Sequence, residues 1–445
     1  MKYFWYLTFR QMGFWLTWIL IPIVVEIIPA IISAIILIFR NHHQEKDPMP
    51  MKLPFITVIV PVYNSEKTLY ACVKSIKDST YPSELIQIIL ADNQSTDNSF
   101  GEYARAQKDF GLNMQLIKTM KGKANALNAS IYQSIGTYII NIDSDGTLEK
   151  HALMNMVLKF ENHLDISALT GTILPRKDMI KRTKNFPLRL LRKNEYFEYA
   201  QAFLSGRVIE SYSDQLFTMS GAFSAFRKST IMKTFMYDTK TLGEDTEMTF
   251  QIRDRLKKKV LICTDAIFYI EPISGLDELY RQRQRWQRGE LEVTKSYMHN
   301  NSGLKYFFNN FLVRRMMIDH TFIFPKMIWL FASVVLLFLR YSPVILGLSY
   351  VIIYLLYVMI SLLNYICVRM LLKDFENEEI FYTKLTWVVL TLPMYNFICS
   401  WFRLIGSINV SSSNHQWNSL SFRDESHNAF KVVKKDFHDL ERNRN

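Results

Sequence analysis

Residues 14–39 read FWLTWILIPIVVEIIPAIISAIILIF, and no other stretch constrains the fold of this chain as strongly. The run is long enough to cross a bilayer as one helix. It lacks the small-residue cleavage site of a secretory leader, so it reads as an uncleaved anchor. Glu26, between Pro22 and Pro29, is unusual in a plain anchor; an intramembrane carboxylate is normally turned toward a protein partner or a wet cavity. Further apolar stretches cover residues 322–339, 344–368 and 385–408, the last broken by Pro393 and Arg403. Four candidate spans follow by the length criterion. Arg40, Lys46, Arg314, Arg315 and Lys326 flank them and place the intervening region in the cytoplasm. Three C-terminal spans would put the tail outside, yet Arg423, Lys431, Lys434 and Lys435 argue for the inside. A re-entrant hairpin at 385–408 would reconcile the two.

The expected organisation is an anchor and linker (1–52), a soluble α/β domain (53–300), an interfacial amphipathic helix (301–319), a transmembrane region (320–410) and a polar basic tail (411–445). A formal net charge of +12 suits a domain held against anionic lipid or a phosphorylated substrate. No nucleic-acid-binding module accompanies that charge, and nucleic acid is excluded as a partner. Cys72, Cys263, Cys367 and Cys399 are scattered, with neither metal-type nor disulfide-framework spacing.

Within the soluble region, short β-rich runs alternate with amphipathic helical stretches, which predicts one α/β domain with a mostly parallel, Rossmann-like sheet. In such sheets ligands bind beyond the carboxyl ends of the strands. FITVIVPVYNSE and LIQIILADNQSTDNS end two strands there, the second delivering Asp92. Asp92 and Asp97 could equally be turn caps. Lys121 to Ser130, KGKANALNAS, opens a helix with lysines around a glycine, a plausible anion seat but no P-loop. TYIINIDSDG presents Asp143 and Asp145 past a third strand, before a helix expected near Leu148. Such a pair suits Mg²⁺ or Mn²⁺ shared with phosphate oxygens. Glu244 and Asp245 open another helix, where acidic residues favour the macrodipole and could also serve as a general base.

The order of these pieces, VYNSE, DNQSTDNS, GKANALN, DSD, SGAFSAFRK, GED and finally QRQRW at Gln282 to Trp286, resembles the processive, membrane-embedded family 2 glycosyltransferases. The likeness is nearest to bacterial poly-β-1,6-N-acetylglucosamine synthases, with cellulose and hyaluronan synthases more distant. Length and layout also resemble the glycosyltransferases associated with the Gram-positive exosortase G system. The resemblance implies a GT-A fold with transmembrane helices, in a bacterial plasma membrane. It implies an inverting hexosyltransferase that extends a growing glycan from a UDP-sugar, such as UDP-N-acetylglucosamine or UDP-glucose, with room for an accessory membrane subunit.

By position, the resemblance sets Val62, Tyr63, Asn64 and Glu66 beside uracil and ribose, Asp92 on uracil, and Lys123 and Asp143 near the nucleotide. Asp145, with Asp143, would hold the divalent metal; Asp245, beside Glu244, would be the base; Gln282 and Arg285 would hold the diphosphate. Trp286, Ser220 and Gly221 would line the acceptor end. Arg281, Arg283 and Arg288 are expected to be solvated or lipid-facing. Three positions depart from the family pattern: Gly243 stands where Thr is usual, Asn93-Gln94 follow Asp92, and Gly146 follows Asp145. Rival expectations are single transfer to a polyprenyl phosphate or other lipid, and an inactive nucleotide-binding scaffold.

Overall fold

In a computed structural model the chain is described at residues 23–40, 47–299, 323–339 and 343–412. The expected helix at 301–319 and the tail beyond 412 lie outside the described residues. Helices and strands run in the order α1 (Ile28–Arg40), β1 (Ile56–Val62), α2 (Leu69–Lys77), β2 (Ile86–Asp92), α3 (Ser99–Phe110), β3 (Met114–Lys118), α4 (Lys123–Gln133), β4 (Tyr138–Ile142) and β5 (Gly146–Leu148). Next come α5 (Ala152–Asn162), β6 (Ile166–Pro175), α6 (Lys177–Arg182), α7 (Phe186–Ala200), α8 (Arg207–Tyr212), β7 (Phe223–Arg227) and α9 (Lys228–Ile231). The remainder is α10 (Glu244–Phe250), β8 (Lys259–Ile270), α11 (Leu276–His299), α12 (Ile323–Phe338), α13 (Pro343–Leu371), α14 (Glu376–Thr383) and α15 (Leu392–Ser412).

One sheet of eight strands, in the order β3-β2-β1-β4-β7-β6-β8-β5, forms the centre of a GT-A-like α/β fold. β1, β2, β3 and β4 pair in parallel. Their sequences are nearly continuous apolar runs because helices cover both faces. The chain walks outward from β1 to β3 and then returns to β4 on the other side of β1. That reversal opens a crevice at the carboxyl ends of β1 and β4, the usual ligand position in such sheets. The other half is mixed: β7 runs antiparallel to both β4 and β6, β6 and β8 are parallel, and β5 closes the edge antiparallel to β8. The sheet is therefore mixed but mostly parallel, as its sequence predicts, with β5 and β7 as its antiparallel strands. The helix expected near Leu148 begins at Ala152, after β5.

Of the four expected spans, only α13 is both long and apolar enough to cross a membrane among the described residues. The described part of the first run is a π-helical turn (Ile23–Ile27) continuing into α1. Its Glu26 is hydrogen-bonded to Tyr357 of α13, a protein partner of the kind an apolar segment demands. The 385–408 run is neither a plain span nor a hairpin. A short 3-10 turn (Thr386–Leu390) leads into α15, which lies along α11, with Arg403 Nε donating to Gln287 Oε1 at 2.8 Å. Helix α14 is docked on the α/β domain through Glu378, which is 2% exposed. Its carboxylate takes Lys177 Nζ at 2.5 Å and the hydroxyls of Tyr196 and Tyr269 at 2.7 and 3.0 Å. All four cysteines are free and buried.

Candidate active site

The loops after β1 and β2 are laced into one wall of the crevice. Asn64, in the left-handed region at φ 51°, takes the Thr96 N–H on its Oδ1 at 2.8 Å, while its own N–H donates to Ser95 Oγ at 3.1 Å. Glu66 N–H donates to Asp97 Oδ2 at 2.9 Å. Asp97 also caps Ser99, and these hydrogen bonds outweigh its desolvation and lower its pKa. Asp97 is thus a turn cap. Asp92 is partly one: Ser95 N–H donates to its Oδ1 at 3.0 Å. Val62 C=O accepts from Asn93 N–H at 2.8 Å, and Tyr63 stands half exposed at the rim. Asn93 Oδ1 in turn accepts from Gly122 N–H, which fixes the start of α4 against this wall.

Lys123, in the first turn of α4, reaches across the crevice. Its Nζ meets Asp143 Oδ1 at 2.5 Å and the Gly221 carbonyl at 3.1 Å. Burial alone would lower its pKa, but Asp143 and Glu244 outweigh that and raise it. Asp145 is pushed up to about 6 by desolvation in the cleft and by the Asp143 charge beside it. Two carboxylates that repel in this way are the donor set a hard cation relieves. Among the described residues no group of three metal-ligating side chains is gathered. The repelling pair of Asp143 and Asp145 has the carboxylate chemistry of an Mg²⁺ or Mn²⁺ site in which phosphate and water supply the remaining ligands. Ser144, between the two, bonds Ser65 Oγ at 2.7 Å and ties this turn to the β1 loop.

The turn at Ser220–Gly221 links the opposite sides of the site. Gly221 N–H donates to Asp245 Oδ2 at 3.0 Å while its carbonyl receives Lys123. A Cβ there would stand 3.2 Å from Asp245 Oδ2 and 3.5 Å from Lys123 Nζ. A glycine is what lets the peptide serve both groups. The same turn is bound to α10 twice more, by Met219 N–H to Thr249 Oγ1 at 3.0 Å and Thr218 Oγ1 to Thr246 Oγ1 at 2.9 Å. Glu244, next to the held Asp245, is raised to about 7 by burial and by the Asp245 charge, against Lys123 and Arg285.

Helix α11 brings the QRQRW residues to this site with roles more divided than their spacing suggested. Arg285 is exposed and faces Glu244 electrostatically. Trp286 is half-buried, with Tyr199 and Phe203 at ring-centroid distances of 6.1 and 5.9 Å. Gln282 Nε2 donates to Tyr199 OH at 3.0 Å, so it braces that aromatic wall rather than standing free. The expectation for Arg283 and Arg288 is overturned. Arg283 is 3% exposed; it pairs with Glu198 at 2.5 Å, donates to Tyr395 OH at 3.3 Å, and lies 4.3 Å from the Trp286 ring centroid. Arg288 Nε donates to Glu292 Oε1 at 2.9 Å, and Glu292 Oε2 accepts from Leu242 N–H at 3.0 Å, just before Gly243. Arg281 is exposed as expected.

A parallel-then-mixed sheet with acidic strand ends, a bridging lysine and a QRQRW helix has relatives. Residues 57–235 match the family profile described as Glycosyl transferase family 2. Over that stretch the α/β domain is similar to the family 2 glycosyltransferases. A poly-β-1,6-N-acetyl-D-glucosamine synthase of Staphylococcus epidermidis is 25% identical, over 58% of this chain and 58% of that protein. A probable glycosyltransferase of Bacillus subtilis, YdaM, is 27% identical over 58% of this chain and 60% of that protein. The chain thus spans about six-tenths of the length of these relatives. Among solved structures, a mannosyltransferase of Pyrobaculum calidifontis in complex with GDP-Man and Mn²⁺ shares the fold at a TM-score of 0.57 and 16% identity, over 84% of this chain and 96% of that one. Thr170, Arg207 and Gly289 also belong to the site or its frame, and sequence reasoning passed over all three. Thr170 is one of two threonines in a buried strand, Arg207 is the basic residue after LSG and Gly289 a glycine beyond QRQRW, and none of these is a motif.

Proposed function

We propose that the glycosyltransferase domain moves a hexosyl unit from a UDP-sugar onto a glycan hydroxyl with inversion, dependent on Mg²⁺ or Mn²⁺. One observation carries this reading: a single residue, Gly221, holds the carboxylate of Asp245 on its N–H and the ammonium of Lys123 on its C=O. A base and an anion-binding cation are thereby fixed on opposite sides of one small space. Asp245 takes the acceptor proton as the acceptor oxygen bonds the anomeric carbon. The bond from that carbon to the phosphate oxygen breaks, and UDP leaves with the electron pair. Lys123 and Arg285 offset the charge gathering on the leaving diphosphate. Asp143 and Asp145 would hold the cation, whose chemistry is to neutralise the same oxygens. Asp92 and the wall of Val62, Tyr63, Asn64 and Glu66 would take the nucleoside, and Trp286 the acceptor ring.

Extension of a polymer across the membrane is supported by the packing of α15 along α11, the helix that carries Trp286. The apolar α13 supports a membrane location, with the transferase domain on the cytoplasmic side where UDP-sugars are found. The test is UDP release from UDP-N-acetylglucosamine and UDP-glucose with each metal, for wild type and Asp245→Asn. The variant should lose about 10²–10⁴-fold, the usual share of a general base, while keeping its affinity for UDP. No release by wild type with any donor, or an undiminished rate in the variant, would sink the proposal.

A further inference from the structure

Arg207 belongs to none of the nucleotide or acceptor motifs, yet its guanidinium sits inside the machinery. The preceding segment, Gln201–Gly206, is π-helical, a local widening that re-aims the side chains around it. Phe203 is turned onto Trp286, edge to face, and Arg207 is turned inward until only 6% of it is exposed. Arg207 Nη1 donates to Thr170 Oγ1 at 2.8 Å. The same oxygen accepts the N–H of Ser220 at 2.9 Å, and the next N–H, that of Gly221, holds Asp245. On its other side the guanidinium carbon lies 4.6 Å from the ring centroid of Phe203. Glu210 and Asp245 are its charged neighbours, and their attraction does not offset the desolvation of the guanidinium. Burying a cation in this way is costly. Holding one strand residue in place does not require a charged side chain there, because Thr170 Oγ1 also has the Phe223 carbonyl within reach at 3.4 Å.

We propose that Arg207 is a positioning residue that couples the acceptor platform to the base: its stack on Phe203 and its bond to Thr170 set the Ser220–Gly221 turn, and with it Asp245, relative to Trp286. This rests on the transferase reading above. The relay runs through two atoms that substitution can remove separately, Arg207 Nη1 and Thr170 Oγ1. Thr170 is fully buried and Arg207 nearly so, so donor affinity and transfer rate should come apart.

The experiment is a double-mutant cycle in the full-length protein, using Arg207→Met, Thr170→Val, the pair, and Arg207→Lys. For each, kcat and acceptor KM come from UDP release with acceptor, donor hydrolysis from UDP release without it, and UDP affinity from direct binding. Misplacing a reacting group by a fraction of an ångström costs roughly 10–100-fold in rate. Each single variant should lose that much kcat, with UDP affinity within roughly threefold of wild type. Donor hydrolysis should fall less than transfer. The double variant should be no worse than the poorer single one, since both break one relay. Arg207→Lys, which keeps a donor within reach of Thr170 but not the planar stack, should recover part of the loss. Multiplying losses, a loss that follows UDP affinity or thermal stability, or unchanged kcat in Arg207→Met would each overturn the inference alone. A wild type that releases no UDP would overturn the transferase reading and this inference with it.

Discussion

Gly243 shows how one residue can decide between two helices. It packs backbone to backbone on Gly289 of α11. A Cβ on Gly243 would lie 2.8 Å from the Gly289 carbonyl oxygen, and one on Gly289 would lie 2.8 Å from the Gly243 nitrogen. Neither neighbour is a flexible side chain that could yield. Gly243→Thr should therefore destabilise by about 1–3 kcal/mol, the common cost of overpacking. It should also slow UDP release by pushing Glu244 and Asp245 away from the QRQRW helix. A thermal melt and a UDP-release assay check both; a variant as stable and active as wild type would mean the two backbones have slack. At this scale the sequence revealed the acidic residues and Lys123, because charged side chains at strand ends and helix starts stand out against apolar runs. It concealed Thr170 and Arg207, whose importance lies in which atoms they meet. Arg283 was misread for a related reason: arginine is usually solvated, and only the fold brings Glu198 and Tyr395 to it.

At the scale of elements, the parallel half of the sheet was readable from its apolar runs, and the antiparallel pairings of β7 were not, since pairing partners leave no local trace. Helix α7 illustrates the same limit. Its start is legible, with Asn185 accepting from Leu188 N–H at 3.0 Å and Pro187 in the first turn. Its buried face is not, and there Glu195 is fully covered, with Oε2 accepting from Ile273 N–H at 3.0 Å and Oε1 without a hydrogen-bond partner among the described residues. Burial pushes its pKa up to about 8 from an ordinary 4.5. Between those values the folded protein holds a proton that the unfolded chain has released. Native stability from this group is therefore fully present below about 4.5 and is lost as pH rises through about 8. Glu195→Gln keeps the shape and removes the titration. Melting temperatures measured from pH 5 to 9 should fall more steeply in wild type than in the variant; parallel curves would show that Glu195 is ionised in the fold.

For the molecule as a whole, the apolar C-terminal region is more than an anchor. Helix α11 lies between the α/β domain and α15, so the segment carrying Arg285 and Trp286 takes its position from both. Tyr395 OH donates to Glu198 Oε2 at 2.6 Å, Phe402 meets Tyr280 edge-on at 5.0 Å, and Arg403 bonds Gln287. At the closest approach, a Cβ on Gly406 would lie 3.2 Å from Gln284 Cα, which is tight but not prohibitive. Gly406→Ala should consequently be tolerated, while the larger wedge of Gly406→Leu should force the helices apart. The wedge enters between Gln284 and Gln287 of α11, whose side chains a Cβ there would meet at 3.5 Å. It should leave UDP affinity near wild type, because Asp92, Lys123 and Asp143 are untouched. Acceptor transfer should fall by roughly 10-fold or more, the penalty for shifting a substrate-positioning group. Comparing UDP affinity with UDP release in the two variants separates a helix that positions the acceptor from one that merely braces the domain. Equal losses of UDP affinity and transfer in Gly406→Leu would favour the brace.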